Sequence, residues 1–168
     1  MTIYFFVTFK INAGIFTPVV LLNRYNNSGT IGNVMNKIKI LVCEDNFVDR
    51  KILCNFLQQY GTVDVAANGK EALEAFKGCF EEEKEPYGLI CLDINMPEIK
   101  GIEVLKAIRD IENKADIGSK NHAIVIMTTS AEDPSSILKS FKEQCDGYIK
   151  KPVTKEKLTT ELAKHKIG

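Results

Sequence analysis

The chain has 168 residues, 45% of them apolar and 26% charged, which suits one globular domain with a conventional core and excludes a collagen-like or wholly disordered chain. Its 22 basic and 22 acidic residues balance; residues 1–36 contain Lys10 and Arg24 and no acid, so the rest carries 20 basic against 22 acidic. A slightly acidic body offers no basic stripe for a duplex, and no nucleic-acid partner is expected.

Residues 1–36 differ in texture from the rest of the chain. An apolar and aromatic start gives way to a stretch from Asn23 to Asn36 rich in Asn, Gly, Ser and Thr. Lys10, Asn12 and Pro18 interrupt the apolar part before it reaches the 18–20 residues a membrane span needs, and no charged n-region or small-residue cleavage pattern is present. Neither membrane insertion nor a cleaved signal is expected, which makes the cytoplasm the expected location. The segment reads as an N-terminal extension, disordered or a non-native start, because Met35 stands just before the regular pattern opens at Lys37-Ile38-Lys39. The domain is expected over residues 37–168.

From Ile38 onward, short apolar runs alternate with helical periodicities. Ile38–Cys43 predicts a first strand, and Val48, Ile52, Leu53, Phe56, Leu57 and Tyr60 form the core stripe of a helix after it. Val63–Ala66 predicts the second strand. Asn68 and Glu71 then look like a helix start, the first capping free backbone donors and the second reaching back, with Ala72, Leu73, Ala75 and Phe76 on the apolar side. Leu89–Leu92 predicts the third strand, followed by a helix carrying Ile102, Leu105, Ala107, Ile108 and Ile111. The Asp110–Asn121 connection reads as a solvated insertion. Ile124–Met127 and Tyr148–Ile149 predict the last two strands, with Ile137, Leu138 and Phe141 on a fourth helix and Leu158, Leu162 and His165 on a fifth. Five βα units predict a parallel sheet with helices on both faces, a three-layer α/β sandwich. Cys43, Cys54, Cys79, Cys91 and Cys145 form no C-x-x-C pair and read as buried reduced thiols; His122 and His165 lack partners at metal-ligand spacing and read as surface residues.

Ligands of such sheets bind outside the carboxyl ends of the strands. There the sequence places Glu44-Asp45 after the first strand, Asp93 after the third, Thr128-Thr129 after the fourth, and Lys150-Lys151-Pro152 after the fifth. Any one acid at a strand end is ordinarily a helix cap; the ordered set across four ends is not. Three carboxylates gathered at a buried edge repel one another and need a cation, and oxygen-only ligands favour Mg²⁺ over zinc. Asp45 and Asp93 are the direct ligands expected. With the charge offset, Asp93 can attack phosphorus, Lys151 can neutralise oxygens of the transferring group, and Thr129 can donate a hydrogen bond to one of them.

These pieces resemble the receiver domain of two-component response regulators, in particular single-domain chemotaxis regulators. The resemblance covers Ile38 to about Lys164. It rests on Ile-Leu-Val-Cys-Glu44-Asp45-Asn46, Asn68-Gly69-Lys70-Glu71-Ala72-Leu73, Leu92-Asp93-Ile94-Asn95-Met96-Pro97 with Gly101, Met127-Thr128-Thr129-Ser130-Ala131, and Asp146-Gly147-Tyr148-Ile149-Lys150-Lys151-Pro152. It implies a flavodoxin-like doubly wound sheet in the order 2-1-3-4-5 with five helices. It implies phosphorylation of Asp93 by a histidine kinase or histidine phosphotransfer protein, with Mg²⁺ held by Glu44 through water, Asp45, Asp93 and the main-chain oxygen of Asn95. Thr129 and Tyr148 would form the switch, reshaping the face of the fourth helix, fifth strand and fifth helix for a downstream protein. Spacing to Lys151 favours Thr129 over Thr128 for that role; Ser130 supplies the small residue next to it. Asn95 and Ala131 are where the lifetime of the phosphoryl group would be tuned, to seconds or minutes. Lys100 departs from the acid frequent in the family before Gly101.

The expected function is therefore a stand-alone phosphoacceptor, not an enzyme in the usual sense, that promotes only its own phosphorylation and dephosphorylation and signals by protein contact, since the sequence ends at Gly168 without an output domain. Two other classes compete. A Mg²⁺-dependent hydrolase with an aspartate nucleophile would need a second acid and a lid, neither of which is evident. A pseudo-receiver adaptor working without phosphorylation would not need Asp45, Asp93, Thr129 and Lys151 together.

Overall fold

The computed structural model describes residues 37–81, 85–115, 122–130 and 144–167. Five strands form one sheet: β1 (Ile38–Cys43), β2 (Gly61–Ala66), β3 (Leu89–Asp93), β4 (Ile124–Thr129) and β5 (Gly147–Lys150). All neighbours are parallel and the order is β2-β1-β3-β4-β5, the flavodoxin-like order. Every residue of β3 is buried, as a central strand covered on both faces requires.

Four helices lie among the described residues: α1 (Phe47–Leu57), α2 (Gly69–Glu81), α3 (Gly101–Lys114) and α4 (Lys155–Lys164). Alternate strand residues feed two cores. Leu41, Cys43, Ile90, Leu92, Val125 and Met127 meet Ala72 and Phe76 of α2 and Val104, Leu105 and Ile108 of α3. Ile40, Val42, Leu89, Cys91, Ile126 and Ile149 meet Leu53 and Leu57 of α1 and Leu158 and Leu162 of α4. The result is a three-layer sandwich. The predicted helix around Ile137, Leu138 and Phe141 lies outside the described residues, and α4 is the predicted fifth helix.

Local chemistry sets the helix starts. Asn46 caps α1, its Oδ1 accepting from the N–H groups of Val48 and Asp49 at 2.9 and 3.1 Å. At α2 the predicted reciprocal cap is present: Glu71 N–H donates to Asn68 Oδ1 at 2.8 Å, and Glu71 Oε2 accepts from Ala67 N–H at 2.7 Å.

Three sequence expectations need correction. In the α1 stripe only Leu53 and Leu57 are buried; Val48 and Ile52 are 61% and 38% exposed, and Phe47 beside them is 66% exposed. Helix periodicity marks an apolar side without saying how much of it the sheet covers. The Asp110–Asn121 connection is helical as far as Lys114, the remainder from 116 to 121 lying outside the described residues. His122 and His165 are half-buried, not surface residues. All five cysteines are free; Cys43, Cys79 and Cys91 are buried, Cys54 and Cys145 half-buried. Burial pushes the Cys91 thiol up to about 12, which keeps it inert. Among the described residues no helix is long and apolar enough to cross a membrane.

Candidate functional site

The parallel register brings three strand ends together. Glu44 continues β1, its N–H bonded to Ala66 O at 3.1 Å; Ile94 after Asp93 donates to Thr128 O at 3.1 Å; Lys151 after β5 donates to Thr129 O at 2.8 Å. Glu44, Asp93 and Lys151 share the strand parity of Val42, Cys91 and Ile149, and so the sheet face covered by α1 and α4. The Lys151 ammonium stands 2.7 Å from Asp93 Oδ2, 2.8 Å from Glu44 Oε1 and 3.6 Å from Asp49 Oδ2. Carboxylate oxygens of Glu44, Asp45 and Asp93 all lie within 4.8 Å of one another.

The bend after β3 is fixed by close packing. Gly101 opens α3 with its N–H on Ile94 O at 3.0 Å, and a Cβ there would run into the carbonyl oxygen of Asp93. Glycine is required by that approach. Glu98, between them, has φ 65 and is held by the Ile99 N–H to Pro97 O bond of 2.8 Å.

Charge is unevenly compensated. Burial pushes the Glu44 carboxyl up to about 6, Lys151 pulls it down by hydrogen bonding, and Asp93 pushes it up again. Burial would lower Lys151, but its bonds to Asp93 and Glu44 outweigh that and hold the ammonium above its ordinary value. Glu44 is fully buried, and its Oε2 makes no hydrogen bond among the described residues although the ammonium is 2.8 Å away. One ammonium is shared among Glu44, Asp49 and Asp93, Asp45 stands beside them, and the donor set is entirely hard oxygen. Such a set fits a divalent cation of the Mg²⁺ type.

Asp45 is exposed, open to solvent above the buried pair. With Asn46 capping α1 and Lys100 at the α3 N-terminus, neither Asp45 nor Asp93 is spent as a helix cap. Asn95 is exposed and its N–H donates to Asp93 Oδ1 at 3.2 Å. Thr129 is fully buried on the strand parity of Val125 and Met127; Tyr148, paired in register with Met127, is 48% exposed. The two expected switch residues thus share the other sheet face, Thr129 lying at the strand end next to Lys151, whose backbone N–H donates to its carbonyl. Ala131 lies outside the described residues. Sequence reasoning missed Asp49 near Lys151, and Arg50, whose Nη1 holds the carbonyls of Glu44 and Asp45 at 2.6 and 3.1 Å. The acid-rich strand end followed by an arginine within two helical turns was the available signal.

Residues 40–163 match the family described as the response regulator receiver domain. The chain belongs to that family. Over 134 residues it is 34% identical to hybrid signal transduction histidine kinase B of Dictyostelium discoideum, covering 76% of this chain and 6% of the relative. Among solved structures it resembles the co-crystal structure of the Saccharomyces cerevisiae histidine phosphotransfer signaling protein Ypd1 with the receiver domain of its downstream response regulator Ssk1 (31% identity, TM-score 0.65, 77% of this chain and 89% of that chain). Chemotaxis protein CheY4 of Vibrio cholerae is similar at 26% identity and TM-score 0.60, covering 76% of this chain and 98% of that one. The chain spans 6% of the length of that Dictyostelium kinase and 21% of that of the osmolarity two-component system protein SSK1 of Saccharomyces cerevisiae, to which it is 27% identical over 154 residues. Its place is in two-component signalling.

Proposed function

We propose that this receiver accepts a phosphoryl group on Asp93 from a phosphohistidine and passes the signal on by protein contact. The observation that carries this is the Lys151 ammonium, held 2.7 Å from Asp93 in a cluster that still has negative charge to spare. Mg²⁺ held by Asp45, Asp93, the Asn95 main-chain oxygen and, through water, Glu44 would supply the charge that lets an anionic donor approach a carboxylate.

Around it, the chain's own residues do the rest. Lys151, anchored by Glu44, and the Asn95 N–H orient Asp93, the latter by holding Oδ1 so that the other oxygen faces the donor. Lys151 turns to the oxygens of the transferring group, and Thr129 donates to one of them. Movement of Thr129 would draw Tyr148 inward from its exposed position, coupling the chemistry to β5 and α4, the face offered with the predicted fourth helix to a downstream protein. Asn95, which is exposed, and Ala131, small by sequence, would leave water a path, so the protein would also lose its phosphoryl group unaided within seconds to minutes. A cytoplasmic location belongs to the same proposal.

A histidine phosphotransfer protein is the partner we favour as donor. Exposed Phe47, Val48 and Ile52 lie on α1, which starts two residues beyond Asp45, and form an apolar surface beside the acceptor. Transfer of a radiolabelled phosphoryl group from a phosphorylated histidine phosphotransfer protein tests the proposal. Wild type should take the label and Asp93→Asn should not; Val48→Asp should slow this transfer more than it slows labelling by acetyl phosphate. Label retained by Asp93→Asn would contradict the assignment.

A further inference from the structure

Thr128 is not accounted for by the roles above. It pairs in register with Asp93 on one side and Ile149 on the other, and alternation with Ile126 puts it on the α1 and α4 face together with Asp93, Glu44 and Lys151. Its side chain is fully buried, and its hydroxyl has no hydrogen-bond partner among the described residues. Valine would fill the same volume without desolvating a polar group, so the hydroxyl is a cost to the resting fold.

Its neighbour explains why the hydroxyl is left over. In the resting state each Asp93 oxygen already has a donor, Oδ2 the Lys151 ammonium at 2.7 Å and Oδ1 the Asn95 N–H at 3.2 Å. Phosphoryl transfer changes that, because the lysine ammonium is drawn to the phosphoryl oxygens and the buried carboxyl of Asp93 loses its strongest donor. A hydroxyl on the adjacent strand, about 4.8 Å away between backbones, is within reach by rotation of one torsion.

We propose that Thr128 is a positioning residue for the transfer: its hydroxyl donates to the Asp93 carboxyl in place of Lys151 as Lys151 turns to the phosphoryl group. This rests on the acceptor role proposed for Asp93. In the step, an Asp93 oxygen forms a bond to phosphorus while the donor's phosphorus–nitrogen bond, or the phosphorus–oxygen bond of acetyl phosphate, breaks with its electron pair leaving on imidazole or acetate. Thr128 keeps its proton throughout and changes only the acceptor it meets.

The test compares wild type, Thr128→Val and Thr128→Ser for the rate of phosphorylation by acetyl phosphate with Mg²⁺, the lifetime of the product and the melting temperature of the unphosphorylated protein. Loss of one hydrogen bond to a charged group predicts phosphorylation slowed about 10- to 100-fold in Thr128→Val. Thr128→Ser should recover most of the rate, while unphosphorylated Thr128→Val melts about 2–4 °C higher than wild type. A purely structural role would not separate rate from stability in this way. Wild-type rate and lifetime in Thr128→Val would overturn the proposal, as would equal slowing in Thr128→Ser, which would assign the effect to shape. Should Thr128→Val not fold, the Thr128 Cβ chemical shift in the wild type decides: a shift on adding beryllofluoride and Mg²⁺ supports the hand-over, and no shift overturns it. A wild type that takes no phosphoryl group at all sinks the acceptor reading itself, a result distinct from any of these.

Discussion

The two ends of the sheet both bury charge, and they do so differently. At the amino ends of β4 and β5, Arg109 of α3 donates to Glu112 Oε2 at 2.7 Å, Asp146 Oδ2 at 2.8 Å, Ala123 O at 2.9 Å and Gln144 O at 2.7 Å. The carboxylates it holds are themselves used on the backbone, Glu112 accepting from Ala123 N–H and Asp146 from Val125 N–H, both at 2.7 Å. Both carboxylates are paired with the arginine and with the chain. At the carboxyl ends, Lys151 is shared among Glu44, Asp49 and Asp93 with Asp45 beside them, and Thr128 Oγ1 is buried without a hydrogen bond among the described residues. In the first network every carboxylate is tied to arginine and backbone, although Gln144 Oε1 beside it is buried without a hydrogen bond among the described residues; in the second a single ammonium is spread over several carboxylates, the charge balance that a bound cation would relieve.

The brace should show the largest effect when broken. Arg109→Ala leaves Glu112, almost wholly buried, without its cation, and should cost about 3–5 kcal/mol in denaturant unfolding. A cost no larger than that of a surface substitution would remove the contrast between the ends. Asp45→Asn should do the reverse kind of damage: little loss of stability without metal, since a like charge is removed, but Mg²⁺ affinity reduced by about 10- to 100-fold, the equivalent of about 1.5–3 kcal/mol, measured by titration. Gly101→Ala presses a methyl on the Asp93 carbonyl and should destabilise by about 1–3 kcal/mol while also slowing phosphorylation, linking the packing of α3 to the nucleophile. Smallest, Glu98→Gly relieves the left-handed φ 65 in the loop before α3 and should stabilise by about 0.5 kcal/mol, read as a rise in urea midpoint.

The same contrast governs what the sequence discloses. The acidic cluster was legible because its residues close apolar runs: Glu44-Asp45 and Lys151 follow β1 and β5 directly and Asp93 ends β3, at boundaries that local composition marks. The brace was not legible. Arg109 meets Asp146 from 37 positions away, and nothing local distinguishes it or Glu112 from ordinary solvated charges on a helix. Nor does period alone reveal that Val48 and Ile52 remain exposed on α1, since an exposed apolar stripe and a buried one look alike in sequence. Thr128 and Thr129 are adjacent and chemically identical; alternation already puts them on opposite faces, and the register adds that Thr128 is the one level with Asp93.

The most direct test of the central claim is intact mass of the wild type and Asp93→Asn after incubation with Mg²⁺ and acetyl phosphate, with a fold-sensitive spectrum recorded on the same samples. The account predicts one phosphoryl group on the wild type, lost on chelating Mg²⁺ beforehand and missing from Asp93→Asn, whose spectrum remains that of a folded protein. An unmodified wild type across a range of phosphoryl donors, or an equal adduct on Asp93→Asn, would contradict it.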